Sequence, residues 1–346
     1  MSLLATLEAK QELTSTEVKE LASLLLDEKA SDDAKAELLK ALTAKGETAA
    51  EITEFAQCFL KLARKPDFSS ITEGYPTIDV CGTGGDKLDL FNVSTTSMFV
   101  IAAGGAKVVK HGNRGITSKS GGSDVLQELG IPLDATDEQL TNALDQANVC
   151  FLFAPAFHPA FKAIMGVRKQ LAEQGIKTIF NLLGPLLNPV SPEYQLVGVT
   201  MAERAPDFAQ ILKNLGRKQV FAVTGYTADG NPVDEFSNLG MNHLYKAKPN
   251  KDVKLHALSP EELGLEVASF DALAGGTPVE NAVILQGILS GEIQGAKRDI
   301  VLLNAGAGLA CCQIVDRIEE GIALAEELID SGKALEKLRA FQAAFN

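Results

Sequence analysis

The sequence predicts an α/β protein with a helical N-terminal part, and three observations predict it. Residues 1–65 carry apolar side chains at helical spacing. Beyond them, short apolar runs alternate with helical stretches, as in an open α/β sheet. Several of these runs break into glycine or polar clusters at their carboxyl ends, where such sheets bind ligands.

In the helical block, Val18, Leu21 and Leu25 form one apolar stripe, opened by Thr14 and Glu17 as a capping box. Ile52, Phe55, Phe59 and Leu62 form another, opened by Thr48 and Glu51. Between them Ala34–Lys45 reads as a helix stopped by Gly46. Residues 66–76 read as a linker, and the block itself shows no chemistry, only packing faces.

The chemistry concentrates in Asp79–Gly130. A buried strand, Thr77–Cys81, breaks at once into Gly82-Thr83-Gly84-Gly85-Asp86. Glycine accepts positive φ and lacks Cβ, so main-chain N–H groups can approach an anionic oxygen closely. Asn92, Ser94 and Thr95 then open a helix running through Met98–Ala103, with Asn92 or Ser94 suited to cap it. A second strand at Val108–Val109 delivers Lys110-His111-Gly112-Asn113-Arg114. Thr117-Ser118-Lys119-Ser120-Gly121-Gly122 leads into a further helix with Val125, Leu126 and Leu129. One such turn suits a structural role as well as a functional one. Three in this stretch, with two cations between them, point to a phosphate-bearing ligand.

After a capped helix at Asp137–Gln146, opened by Thr136 and Gln139, Val149–Phe153 reads as a buried strand ending in Ala154–Pro159. That end brings His158, which reads as a structural hydrogen-bonder or as a site residue, to the same rim as the glycine turns, with Pro159 at a first helical position. Arg168, on the next helix, reads as a solvated surface arginine or as the fork that holds a carboxylate with two parallel hydrogen bonds. The run Thr178–Pro189 is too apolar for an exposed loop and is expected to cover the site or pack on the N-terminal helices. Leu196–Val199, Val220–Val223 and His243–Ala247 read as strands, with helices at Ala205–Leu215, Asn281–Leu289 and near the C-terminus. Between the second and third of these strands stand Asp234 and Glu235, an acidic pair that reads either as solvated in a loop or, beside a phosphate-rich ligand, as suited to Mg²⁺, which favours hard oxygen ligands.

Composition narrows the partners. A net charge of −13 argues against a nucleic-acid or anionic-membrane surface, and no apolar run reaches spanning length. With charge inside its first residues the chain lacks a signal-peptide pattern, which makes the cytoplasm the expected compartment. The five cysteines, at 58, 81, 150, 311 and 312, have no metal-ligand spacing and read as reduced and mostly buried. No base is placed beside Cys81, the cysteine next to a glycine turn, so it too reads as a small buried residue.

GTGGD, NVST, KHGNR and SKSGG, with FLFAPAFHPA, the Arg168 helix, NLLGPLLNP, VDE and IVLLNAGAG, closely resemble the anthranilate phosphoribosyltransferase family. The resemblance runs from about residue 10 to the C-terminus. It implies a small helical domain (1–66, joined by helices from about 160–190) and a larger α/β domain (73–346). That α/β domain would have the mostly parallel sheet of the nucleoside-phosphorylase type. It also implies a homodimer that joins anthranilate to 5-phosphoribosyl 1-pyrophosphate (PRPP) with Mg²⁺ and releases pyrophosphate in tryptophan biosynthesis. Position by position, it gives Gly82, Gly85, Asp86, Asn92, Val93, Ser94, Thr95, Lys110 and Ser118 to PRPP. Gly82, His111, Asn113, His158 and Arg168 fall to anthranilate, and Ser94, Asp234 and Glu235 to the metal. Lys110 and Arg168 would act electrostatically and by positioning, with no residue assigned as general base. The family usually has threonine where Leu90 stands and serine where Gly122 stands, and the Lys87–Leu90 segment is bulkier than its usual turn. The alternatives are a related phosphoribosyltransferase with another aromatic acceptor, a pyrimidine-nucleoside phosphorylase, or a non-catalytic relative that binds nucleic acid.

Overall fold

Five largely buried strands make the parallel part of one sheet, from one edge inward. They are β1 (Thr77–Gly82), β2 (Lys107–Gly112), β3 (Val149–Phe153), β4 (Tyr194–Gly198) and β5 (Gln219–Tyr226). The computed structural model describes residues 2–86, 88–115 and 119–345. Strands β6 (Pro232–Val233), β7 (Asn242–Ala247) and β8 (Lys254–Leu258) complete the sheet in the order β3-β2-β1-β4-β5-β7-β8, with β6 also on β5. The first five run parallel, whereas β6, β7 and β8 pair antiparallel. Sequence reading misses β6, which is two residues long, and β8, an edge strand whose KLHAL is mostly exposed and has no apolar run.

The chain divides into two compact units, residues 1–65 with 154–189, and residues 66–153 with 190–346. In the α/β unit, helices Val93–Ala103, Ala296–Cys311, Ile318–Asp330 and Lys333–Ala343 supply much of the core. The glycine-interrupted run after Ile300 is part of one unbroken helix, Ala296–Cys311. A Cβ on Gly306 would lie 2.5 Å from the Ile322 nitrogen, so its glycines admit a neighbouring helix rather than break their own. Residues 66–76, expected as linker, contain the helical turn Ser69–Thr72 and bury Phe68.

In the helical unit the capping boxes at Thr14/Glu17 and Thr48/Glu51 form as read, each with both reciprocal hydrogen bonds. Phe59 gathers Phe161 edge-on at 5.2 Å and Phe180 stacked at 5.7 Å, so the apolar 178–189 run packs on the N-terminal helices. Lys35, 1% exposed, ties the helix Asp32–Lys45 to the Ala163 carbonyl at 2.8 Å.

Candidate active site

The sheet order reverses at β1, because the chain runs outward to β2 and β3 and returns beside β1 with β4. A crevice is expected at the carboxyl ends of such a strand pair. There Gly82 and Gly198 face each other in register. A Cβ on Gly82 would lie 2.2 Å from Asp234 Oδ2, and one on Gly198 1.6 Å from the Asp234 carbonyl oxygen. On the adjoining β5, a Cβ at Gly225 would lie 2.4 Å from the Glu235 carbonyl oxygen. Three bare strand ends thus seat Asp234 and Glu235 directly on the sheet. A solvated acidic loop is excluded.

The two carboxylates meet main-chain donors from the glycine turn and the helix behind it. Asp234 Oδ2 accepts the Gly84 N–H at 2.6 Å, and Glu235 Oε1 accepts the Ser94 N–H at 3.2 Å. Burial, followed by the charges of Asp86 and Glu235, holds the Asp234 carboxyl well above the usual carboxylate range. Burial also pushes Glu235 up to about 7, against the pull of Lys110 and the Ser94 N–H. The turn itself is pinned to β4 by Thr200, whose Oγ1 donates to the Gly84 carbonyl at 2.7 Å. Gly84 and Gly85, at φ +71° and +86°, have open space where a side chain would be.

Lys110 reaches this seat through a gap between strands. Registered β1–β2 pairs are Thr77 with Lys107 and Ile78 with Val108, and beyond them side chains bridge the strands. Asp79 Oδ1 accepts the His111 N–H at 3.2 Å, and Lys110 Nζ donates to the Val80 carbonyl. The same ammonium lies 3.2 Å from Ser94 Oγ. Cys81, buried beside these groups, has its thiol pushed far up by burial and is no nucleophile at neutral pH.

Along NVST the side chains divide. Val93 is a core residue and Thr95 is 1% exposed, whereas Asn92 and Ser94 keep partial exposure. Asn92 occupies the N-cap position without capping; its amide turns instead to Ser120 and Asn281. In KHGNR, His111 is buried, Asn113 is exposed, and Arg114 is committed to Asp124 at 3.0 Å. Gly122 approaches the Thr95 hydroxyl, 2.8 Å from where its Cβ would stand, so serine there would crowd Thr95.

Two further predicted residues belong to the helical unit. His158 is 6% exposed, its Nε2 lies 2.8 Å from the Leu187 carbonyl, and its ring stacks on Phe161. A carbonyl can only accept, so Nε2 carries the proton, and burial lowers the imidazole's pKa. Arg168, on the helix Lys162–Glu173, places its guanidinium 5.1 Å from the Phe180 ring centroid.

Residues 1–63 match the glycosyl transferase family helical bundle domain, and residues 74–335 match its a/b domain. An anthranilate phosphoribosyltransferase of Listeria welshimeri is 44% identical over 337 residues, 97% of this chain and 96% of that protein. The crystal structure of the Thermus thermophilus anthranilate phosphoribosyltransferase superposes with a TM-score of 0.88 at 37% identity, covering 99% of both chains. This chain belongs to the anthranilate phosphoribosyltransferase family. The Saccharomyces cerevisiae member, solved with PRPP and Mg, matches with a TM-score of 0.83 at 30% identity, covering 99% of this chain and 97% of that one.

For a member of this family, the α/β unit brings together most of the residues singled out in the sequence. Gly82, Gly85, Asp86, Ser94, Lys110, Asp234 and Glu235 lie around the ends of β1, β4 and β5 or are linked to them by the bonds above, whereas the Asn92 side chain bonds Ser120 and Asn281. Ser118 lies outside the described residues. Sequence reading missed Gly198, Thr200 and Gly225; the signal was a glycine or hydroxyl residue at the end of each adjacent strand. Among the described residues no three acidic, histidine or cysteine side chains are already grouped as ligands. The donor set still fits Mg²⁺, which binds through one or two carboxylates and completes its shell with water and substrate phosphate.

Proposed function

We propose that this protein transfers the 5-phosphoribosyl group of PRPP to the amino nitrogen of anthranilate, releasing pyrophosphate, as a cytoplasmic, Mg²⁺-dependent homodimer in tryptophan biosynthesis. The observation that carries the reading is the seating of Asp234 and Glu235 on the strand ends, bonded to Gly84 of the glycine turn and Ser94 of NVST. Ser94, Asp234 and Glu235 would hold the metal. When bound, Mg²⁺ supplies positive charge to the pyrophosphate oxygens.

Cleavage of the C1–pyrophosphate bond builds negative charge on the departing oxygens and positive charge on the ribose. Lys110 and the N–H groups of Gly85 and Asp86 lower the barrier by binding those oxygens more strongly as charge develops. Asn92, Thr95 and Ser118 belong to the same PRPP side of the reading. The nucleophile is the substrate's own nitrogen, so the protein's task is positioning rather than covalent catalysis. Arg168, partly buried against Phe180, is the fork for the anthranilate carboxylate. Asn113 and His111 line the acceptor's path, and that carboxylate, beside the amine, can take its proton. His158, held by Leu187, shapes the helical unit near Phe161 rather than transferring protons.

Exposed Leu62 and Met165 on the helical unit are apolar side chains that a second copy would cover. Among the described residues no helix is long and apolar enough to cross a membrane. The test is the loss of anthranilate fluorescence on addition of PRPP and Mg²⁺, with pyrophosphate release measured in parallel. Turnover of a pyrimidine nucleoside with phosphate, without anthranilate consumption, would overturn the reading.

A further inference from the structure

Asn92 stands at the start of the helix Val93–Ala103, yet its side chain does not bond the helix. Its Nδ2 donates to the Ser120 carbonyl at 3.1 Å, while its Oδ1 receives Ser120 Oγ at 3.2 Å and Asn281 Nδ2 at 2.9 Å. The Ser120 carbonyl can only accept, so the nitrogen end of the Asn92 amide must face it. Asn281 is fixed by the same logic. Its Oδ1 accepts the Gly276 main-chain N–H at 2.8 Å, so its nitrogen end must face Asn92. Two main-chain groups therefore decide which way both amides point.

Asn281 is 2% exposed and sits in the first turn of the helix Pro278–Leu289, which is fixed by a capping box between Thr277 and Glu280. The segment before it lies directly on the approach to Asn92. The Gly275 N–H donates to the Asp89 carbonyl at 2.8 Å, and Leu90 bridges to Ala274. A Cβ on Gly275 would lie 2.6 Å from the Phe91 nitrogen, so no larger residue fits there. The Gly275–Asn281 segment thus touches both the backbone leading to Asn92 and its side chain.

We infer that Asn281 is a positioning residue for the PRPP site: it locks the Asn92 amide with its oxygen occupied, so that Asn92 offers the ligand an N–H donor. With Oδ1 taken by two donors, Asn92 cannot turn an acceptor toward a phosphate or pyrophosphate oxygen. Without Asn281 the amide would be held by Ser120 alone, and a less firmly held amide would spend part of its time turned so as to repel that oxygen. This inference rests on the PRPP reading above and adds to it a residue from a distant part of the chain.

The test is calorimetric titration of PRPP with Mg²⁺ into the unaltered protein, Asn281→Ala, Asn281→Ser, Asn92→Ala and the double variant Asn92→Ala/Asn281→Ala. Asn281→Ala removes two hydrogen bonds, and loss of the one to Asn92 is expected to weaken PRPP binding about tenfold and raise the PRPP KM alike. The anthranilate KM should change little, whereas the thermal midpoint should fall somewhat because the Gly276 N–H loses its acceptor. In the Asn92→Ala background, removing Asn281 should add nothing. Asn281→Ser, which cannot span to Asn92, should behave as Asn281→Ala does and serves if the alanine variant folds poorly. Equal PRPP binding in the Asn281 variants, or additive losses in the double variant, would overturn the inference alone. Failure of the unaltered protein to bind PRPP would overturn the proposed function with it.

Discussion

In the helical unit, Glu51 is 1% exposed and fully engaged: Lys45 at 2.6 Å, the Leu13 N–H at 2.8 Å and the Thr48 N–H at 2.8 Å. In the α/β unit, Asp234 and Glu235 each take one main-chain N–H among the described residues and lie within the field of Asp86. The first carboxylate is neutralised within its own unit. The other two repel each other and a third acid, and a cation would relieve them. The same side-chain chemistry thus serves folding in one place and, on our reading, ligand binding in the other. The difference lies in how far the chain supplies the counter-charge: Glu51 has Lys45 to itself, whereas Lys110 faces the acidic pair and Asp86 together.

Substitutions can break this contrast. The largest effect on stability is expected at Glu51→Ala, which strands the buried Lys45 ammonium and should cost about 3–5 kcal/mol, read by denaturant unfolding. Glu235→Gln should instead lower kcat by roughly a hundred- to a thousandfold, the scale of a lost electrostatic contact in the transition state, with no loss of thermal midpoint. Arg168→Ala is expected to raise the anthranilate KM roughly ten- to hundredfold while calorimetric PRPP binding changes little. Equal loss of both would remove Arg168 from the acceptor site.

A smaller effect sharpens the geometry. Gly198→Ala places a methyl carbon 1.6 Å from the Asp234 carbonyl oxygen and should cost about 1–3 kcal/mol by overpacking. Its activity should fall further than that of an equally destabilised variant of the helical unit. The smallest expected effect is a pH trend in the metal-free protein. Glu235 is raised from 4.5 to about 7, so its contribution to stability is fully present below 4.5 and is lost as pH rises through about 7. Thermal midpoints measured across that window should fall with pH, and Glu235→Gln should flatten the slope.

The sequence by itself determined the local elements, because their causes are local. Threonine and glutamate three residues apart closed the capping boxes at Thr14 and Thr48, and short apolar stretches such as Val149–Phe153 became buried strands. It also marked GTGGD, KHGNR and the acidic pair as chemistry, because three polar or glycine-rich turns with two cations fall in one stretch and a phosphate-rich ligand gives paired carboxylates a use. Where the marked groups went was decided only by tertiary structure. Asp234 rests on Gly82 and Gly198 because strands distant in sequence lie side by side, and Asn92 left its own helix for Asn281, 189 residues away. His158 turned to Leu187 for the same reason. A hydrogen bond is indifferent to sequence separation, so the partner of a polar side chain becomes legible only when the fold has brought the two together.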